Sequence, residues 1–248
     1  MTQTNPKKII EVQDFTMKFG NKTVIDKLSF EVFDGETFGL LGSNGSGKTT
    51  TIRSLLGIYP PTSGKLTVGG KKYRVDGATK LGYLPEERGL YKKESVIDTM
   101  VYFGVLKGLD RQQAQKWSLD YLEQVKLADK ARTRLDKLSG GQQQKVQLGV
   151  TIMGDPELLI LDEPTKGFDP VNRRLLMNII EQRQAAGATV IFVTHQMEEV
   201  ERLCDRVLLL KDGKAAAYDT VENVRAAHGG ASMDDIFVKI YGEESIDV

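Results

Sequence analysis

Cysteine is almost absent: Cys204 is the only one in 248 residues, which excludes an internal disulfide and any cysteine-built metal site. Residues 199–204 around it read as helix, so its expected role is that of a small buried hydrophobe. An excess of charge of either sign is also missing. Lys+Arg and Asp+Glu stand at 34 each, so no net field draws the chain to nucleic acid or to an anionic membrane, and no nucleic-acid partner is expected. Long apolar runs are lacking as well. Nowhere do 18 apolar residues follow one another as a membrane helix needs, and the opening MTQTNPKK has no apolar core of a signal peptide. The expectation is a soluble chain whose membrane role, if any, comes through a partner. An apolar content of 40% suits a globular core and excludes disorder as a main theme, and the length fits one large α/β domain or two small ones.

The most informative stretch is residues 36–56, ETFGLLGSNGSGKTTTIRSLL, an apolar run entering a glycine-rich turn and then a helical pattern. It matches G-x-x-x-x-G-K-[ST] from Gly42 to Thr49. Gly42, Gly45 and Gly47 let backbone N–H groups turn inward onto phosphate oxygens, Lys48 can reach the β- and γ-phosphates, and the Thr49 hydroxyl can hold Mg²⁺. The helix opening near Lys48 brings its positive dipole end to the same anion site. A nucleotide is the ligand this pattern predicts.

Around it, Ile10, Val12, Phe15 and Met17, then Leu28, Phe30 and Val32, nearly alternate with polar residues, which predicts antiparallel strands with one buried face, the second ending at the turn Asp34-Gly35. Phe19 follows the first of them as a lone aromatic beside a glycine, either a core or turn residue or a platform for adenine. Such stacking is worth about 1–3 kcal/mol. Pro60-Pro61 and Ser63-Gly64 stop the loop's helix, and short strands are predicted over 65–68 and 81–84 before Pro85 breaks the second. From about 95 to 126 the period is helical, a block of about 40–50 residues that reads as a subdomain. Ser139 with two glycines then opens a helix to about Met153, as an anion cradle or as a plain N-cap. Leu158–Leu161 is a buried parallel strand with Asp162 and Glu163 at its C-terminal end, where open α/β sheets bind ligands. Asp162 suits a Mg²⁺ site and Glu163 can accept a proton from an attacking water. Asn172–Ala186 is an amphipathic helix, Thr189–Val193 a second buried strand, and His195 stands just past its end. Val207–Leu210 pairs with Lys214–Tyr218 across Asp212-Gly213, and Thr220 caps a short helix ending at His228. In the tail, Ser232 and Asp235 resemble a capping box, and Ile236, Phe237, Ile240 and Tyr241 form one apolar face for docking on the chain's own domain or on a partner.

Taken together, these motifs resemble an ATP-binding cassette (ABC) ATPase subunit from Ile9 to about Tyr218. The signature LSGGQ stands at Leu138–Gln142, the hydrophobic-DE motif is LLILDEP at Leu158–Pro164, and Gly167-Phe168-Asp169 looks like the D-loop. The resemblance implies an α/β fold: a P-loop NTPase core with a mostly parallel sheet, an antiparallel β subdomain, and a helical subdomain inserted at about 92–150. The ATPase domain would span 1–220 and a helical extension 221–248. It implies ATP and Mg²⁺ as ligands. Nucleotide contacts would come from Phe19, from the loop residues Gly42, Ser43, Asn44, Gly45, Ser46, Gly47, Lys48, Thr49 and Thr50, and from Ser139, Gly140, Gly141 and Gln142. Catalysis would fall to Lys48, Glu163 and His195, and the metal to Thr49, Asp162 and Glu86. Glu86 departs from the pattern, since GYLPEERGLY has it where many members have glutamine, which adds a negative charge near phosphates. The implied partners are a second ATPase subunit, in a head-to-tail homodimer, and separate transmembrane permease subunits that dock near Pro85–Leu106, with Leu90 and Tyr91 in the contact. The pattern resembles bacterial exporters of sodium, drugs and antibiotic peptides, with the chain cytoplasmic on the inner face of the membrane. The rival expectation is a soluble ABC ATPase serving as a regulatory or assembly module.

Overall fold

A computed structural model describes residues 7–72, 79–87 and 89–242; the ends of the expected ATPase domain and tail (1–6 and 243–248) and Arg88 of EERGLY lie outside the described residues. The chain divides into two compact units, residues 1–79 with 187–248, and residues 80–186.

The first unit is built on two sheets. Strand β1 (Lys8–Phe19) forms a long hairpin with β2 (Lys22–Phe33), and β4 (Ser63–Val68) pairs antiparallel on the other edge of β1. Phe15, Ile25, Leu28 and Val32 are almost wholly buried, the half-buried face that alternation predicts. Two boundaries differ from the sequence expectation. The hairpin ladder continues to Phe19↔Lys22, so β2 starts well before Leu28, and β4 starts at Ser63 and not at Lys65, because Ser63 pairs with Thr16. The second sheet of this unit has the order β7-β3-β8-β9. Strand β3 (Thr37–Leu41) lies parallel between β7 (Thr189–Val193) and β8 (Arg206–Lys211), and every residue of β3 is buried. A strand with neighbours on both edges and cover on both faces needs a continuous apolar run, and TFGLL supplies it. Strand β9 (Lys214–Thr220) closes the edge as an antiparallel hairpin through Asp212-Gly213, both at positive φ.

Helix α1 (Lys48–Leu55) follows β3. Helix α6 (Met197–Leu203) ends at Cys204, whose thiol is buried and pushed well up in pKa by desolvation, in keeping with an inert core residue. After α7 (Val221–Ala227), α8 (Met233–Tyr241) starts at Ser232, whose hydroxyl accepts from the Asp235 amide at 3.1 Å. Its apolar face turns onto its own unit: Met233, Ile236 and Tyr241 are buried, the Met233 amide donates to Glu201 at 2.8 Å, and the Tyr241 hydroxyl donates to the Leu210 carbonyl at 3.1 Å.

In the second unit β5 (Leu81–Leu84) and β6 (Leu158–Asp162) pair in parallel, with Leu84 opposite Leu161. Between them in sequence come α2 (Val96–Leu106), α3 (Arg111–Gln124) and α4 (Gly140–Ile152), and α5 (Pro170–Ala185) follows. Helix α4 is buried on all sides from Gln144 to Ile152. Its one buried cation has a partner, since Lys145 Nζ donates to the Val125 carbonyl at 3.1 Å, and its last turn is held by Lys107 Nζ, which reaches the Val150 and Thr151 carbonyls at 2.6 and 2.7 Å. Gly149 makes room for α3. A Cβ there would lie 2.3 Å from Tyr121 Cε1, and Tyr121 is pinned in turn by its hydroxyl donating to the Lys145 carbonyl at 2.7 Å.

Gly149→Ala is therefore expected to reverse the usual sign for a helix interior. Instead of gaining up to about 1 kcal/mol from propensity, the protein should lose about 1–3 kcal/mol to overpacking against Tyr121. The midpoint of urea unfolding measures this, and a more stable variant would contradict the packing described.

Candidate functional site: the glycine-rich loop and two strand ends

In the first unit, β3 ends at Leu41 and α1 begins at Lys48, so residues 42–47 form the loop between a buried strand and a helix N-terminus. Gly47 sits at φ 110°, and a Cβ would lie 2.3 Å from Ile25 Cδ1, so no side chain fits there. No side chain caps α1 and no acidic residue stands in its first turn. An uncapped helix start leaves its first amides for an anion. Lys48 arches back over the loop, with Nζ donating to the Gly42 and Ser43 carbonyls at 2.7 and 2.9 Å. The Ser46 hydroxyl is buried with no hydrogen-bond partner among the described residues, Thr49 is exposed, and Thr50 is half-buried. Asn44 and Gly45 lie exposed at the tip. A helix start with no side-chain cap, one unsatisfied hydroxyl and a poised ammonium fits a polyphosphate.

His195 comes to the same sheet edge. Leu40 pairs with Val193, so Gly42 and His195 each follow two residues beyond partners on neighbouring parallel strands. His195 is exposed, and the turn carrying it is set by Thr194, whose hydroxyl accepts from the Gln196 amide and donates to Glu199, both at 3.1 Å. Phe19, 47% exposed at the end of β1, meets Tyr59 edge-on at 5.4 Å between centroids. Of its alternatives, the core residue is excluded: the ring is half open. Arg53 lies over Tyr59 at 5.8 Å and donates to its hydroxyl at 3.1 Å. Sequence reasoning missed Tyr59 and Arg53, because neither carries a motif and only the end of α1 brings them beside Phe19.

In the second unit Asp162 is the last residue of β6, and Asp162 and Glu163 are both buried. Glu163 holds φ 51°, a left-handed conformation that costs of order 1–3 kcal/mol in a non-glycine residue and gathers at functional sites. The same strand register that pairs Leu84 with Leu161 puts Glu86 beside Glu163 in sequence step, two residues past each partner. Lys166, which sequence reasoning passed over, donates to Glu86 Oε1 at 2.6 Å, and that hydrogen bond raises the pKa of its ammonium. In the signature, Ser139 Oγ accepts from the Gln142 amide at 3.3 Å, and Gln142 Oε1 accepts from the Ser139 amide at 2.9 Å, a capping box that opens α4. The plain N-cap is thus the arrangement present in the single chain. Gly140 and Gly141 follow at the helix start, and a Cβ on Gly141 would be 3.2 Å from the buried Phe168 ring. Asp169 caps α5 by accepting from the Asn172 amide at 2.9 Å, and these hydrogen bonds hold its carboxyl below the usual range.

The family model described as ABC transporter matches residues 25–166, more than half of the chain. An uncharacterised ABC transporter ATP-binding protein of Methanocaldococcus jannaschii is 48% identical over 87% of this chain and 79% of its own length. The linearmycin resistance ATP-binding protein of Bacillus subtilis is 36% identical over 93% of this chain and 75% of its own. The Nod factor export ATP-binding protein I of Paraburkholderia xenovorans is 37% identical over 94% and 77% respectively. Among solved structures, the ATP-binding subunit of an ABC transporter superposes with a TM-score of 0.85 at 29% identity, covering 93% of this chain and 98% of that one.

Proposed function

The chain belongs to the ABC transporter family as an ATP-binding subunit that hydrolyses ATP to power transport, and from that premise we propose that it drives export through separate membrane subunits. The observation that carries the export reading is that relatives named for linearmycin resistance and Nod factor export align over nearly the whole chain at 36% and 37% identity. No helix among the described residues is long and apolar enough to cross a membrane, so a polytopic partner is required by this reading. We read 1–220 as the ATPase domain, with the helical insertion at about 92–150, and 221–248 as its extension; the chain then sits in the cytoplasm on the inner face of the membrane.

In this reading the amides of 42–47, Lys48, Thr49 and Thr50 bind the phosphates of ATP. Mg²⁺, when bound, neutralises phosphate charge, and Thr49 and Asp162 are the residues that would hold it. Glu163 orients and deprotonates water, and His195 donates toward the γ-phosphate. Two chains pair head to tail as a homodimer, with Ser139, Gly140, Gly141 and Gln142 of one closing the loop of the other. Phosphoryl transfer is mostly positioning and charge stabilisation, so a site divided between protomers makes hydrolysis depend on pairing.

Co-purification of the tagged chain from native membranes tests the transport reading. A stoichiometric polytopic protein that stimulates ATP hydrolysis supports it; a purely soluble partner overturns it. Phe19 offers a narrower test. If its half-exposed ring carries adenine, Phe19→Ala should weaken ATP binding by about 1–3 kcal/mol, roughly 5- to 150-fold, while leaving inorganic triphosphate binding unaltered. Equal losses for both ligands in a calorimetric titration would contradict the stacking role.

A further inference from the structure

We propose that the tail helix α8 braces the glycine-rich loop, with Tyr241 as a positioning residue that fixes the β8–β9 turn against which the loop rests. The inference gives the tail a part in phosphate binding, and it rests on the ATPase reading above for the ligand of that loop.

Two points of the loop lie against the end of β8 and its turn. A Cβ on Gly42 would come within 2.5 Å of the Leu210 carbonyl oxygen, so the loop's first residue sits directly on that peptide group, an approach that glycine allows. Toward the loop's other end, the Gly213 amide donates to the Ser46 carbonyl at 3.2 Å, while the Gly213 carbonyl accepts from the Asp26 amide of β2 at 3.0 Å. The place of residues 42–46 is thereby tied to that of residues 210–213. The parallel ladder does not secure this turn by itself, because Leu41↔Leu209 is the last pair of β3 with β8 and Leu210 stands one step beyond it.

Helix α8 supplies the missing hold. The Tyr241 hydroxyl donates to the same Leu210 oxygen at 3.1 Å, and Lys211 Nζ donates to the Ile240 carbonyl at 2.7 Å, where a cation suits the negative end of a helix. Tyr241 is buried and its ring packs on Phe237 at 4.3 Å between centroids, so the hydroxyl is aimed by a fixed ring. One carbonyl oxygen thus meets the first glycine of the loop and the last residue of α8. A nine-residue helix at the end of the described chain opens more readily than a sheet core, so its docking is the adjustable part of this arrangement.

The test compares wild type with Tyr241→Phe, which removes only the hydroxyl, and with Ile236→Val, which trims a buried side chain of the same helix and keeps all of these hydrogen bonds. Amide hydrogen exchange is followed by NMR without ligand, and ATP and inorganic triphosphate are titrated by calorimetry. A hydrogen bond of this kind is worth about 2- to 12-fold in an equilibrium constant. Within that range, Tyr241→Phe should speed exchange of the Gly213 amide and weaken both ligands equally, since the effect is on the phosphate loop. Ile236→Val should leave all three within about twofold of wild type. Equal effects of the two substitutions overturn the proposal, because affinity then follows the stability of the helix and not the contact. So does a Tyr241→Phe chain that keeps wild-type affinity for both ligands, or one that loses ATP affinity but not triphosphate affinity. A wild-type chain that binds neither ligand sinks the ATPase reading instead. The Gly213 exchange rates need no nucleotide and then decide the brace: faster exchange in Tyr241→Phe alone upholds it, and any other pattern refutes it.

Discussion

Replacing Glu163 with glutamine is expected to leave ATP binding intact while lowering turnover by about 10²–10⁴-fold, the usual contribution of a positioned general base. The expectation comes from where the side chain is held. Glu163 is 7% exposed, directly after the buried strand β6, so its carboxylate is withdrawn from bulk water at the strand's C-terminal end, and its backbone is left-handed at φ 51°. Glutamine preserves the size and hydrogen-bonding reach of the side chain but cannot take a proton. If the chains pair head to tail as proposed, bound ATP is then no longer removed by hydrolysis, and an ATP-bound dimer should accumulate. Phosphate release and size-exclusion chromatography with ATP measure the two halves of this result. Turnover within threefold of wild type would remove Glu163 from the role of base.

Lys48→Ala should act earlier, on the nucleotide itself. The ammonium lies across the loop on the Gly42 and Ser43 carbonyls, in the place where a polyphosphate would exchange those two acceptors for charged ones. Removing it costs a charge-assisted contact in binding and a donor to the charge that develops in transfer. The expected loss is about 10²–10³-fold in kcat, together with weaker ATP binding. The two variants therefore separate: Glu163→Gln binds and stalls, whereas Lys48→Ala binds poorly and stalls. A Lys48→Ala chain with wild-type affinity and turnover would place the nucleotide elsewhere.

Much of this was open to a reader of the sequence, for reasons that are local. LLILD and TVIFV are strands because four consecutive apolar residues before a polar turn leave a buried extended segment as the simplest solution, and β6 and β7 occupy those residues. The loop from Gly42 to Gly47 lies between a buried strand and a helix, the context its pattern requires. The loop's helix ends ahead of Ser63-Gly64, at Leu55, but the strand expected from Lys65 starts at Ser63, because pairing with β1 carries those two residues into β4. The tail helix was legible as an amphipathic segment. Its partner was not, because the buried face of α8 says only that something covers it.

By itself, then, the sequence determined the elements, the glycine-rich loop, the acidic pair at the end of β6 and the family to which they point, since each is written in residues within about one turn or one strand of one another. Only the tertiary structure decided which residues face each other. Lys166 stands 80 residues from Glu86, and nothing along the chain announces their 2.6 Å contact; it exists because β5 and β6 pair in one particular register. Tyr121 fills the space over Gly149, and Tyr59 meets Phe19, for the same reason. Local pattern sets which face of an element is apolar, whereas the choice of neighbour is set by close packing of segments distant in sequence, and that is a property of the folded whole.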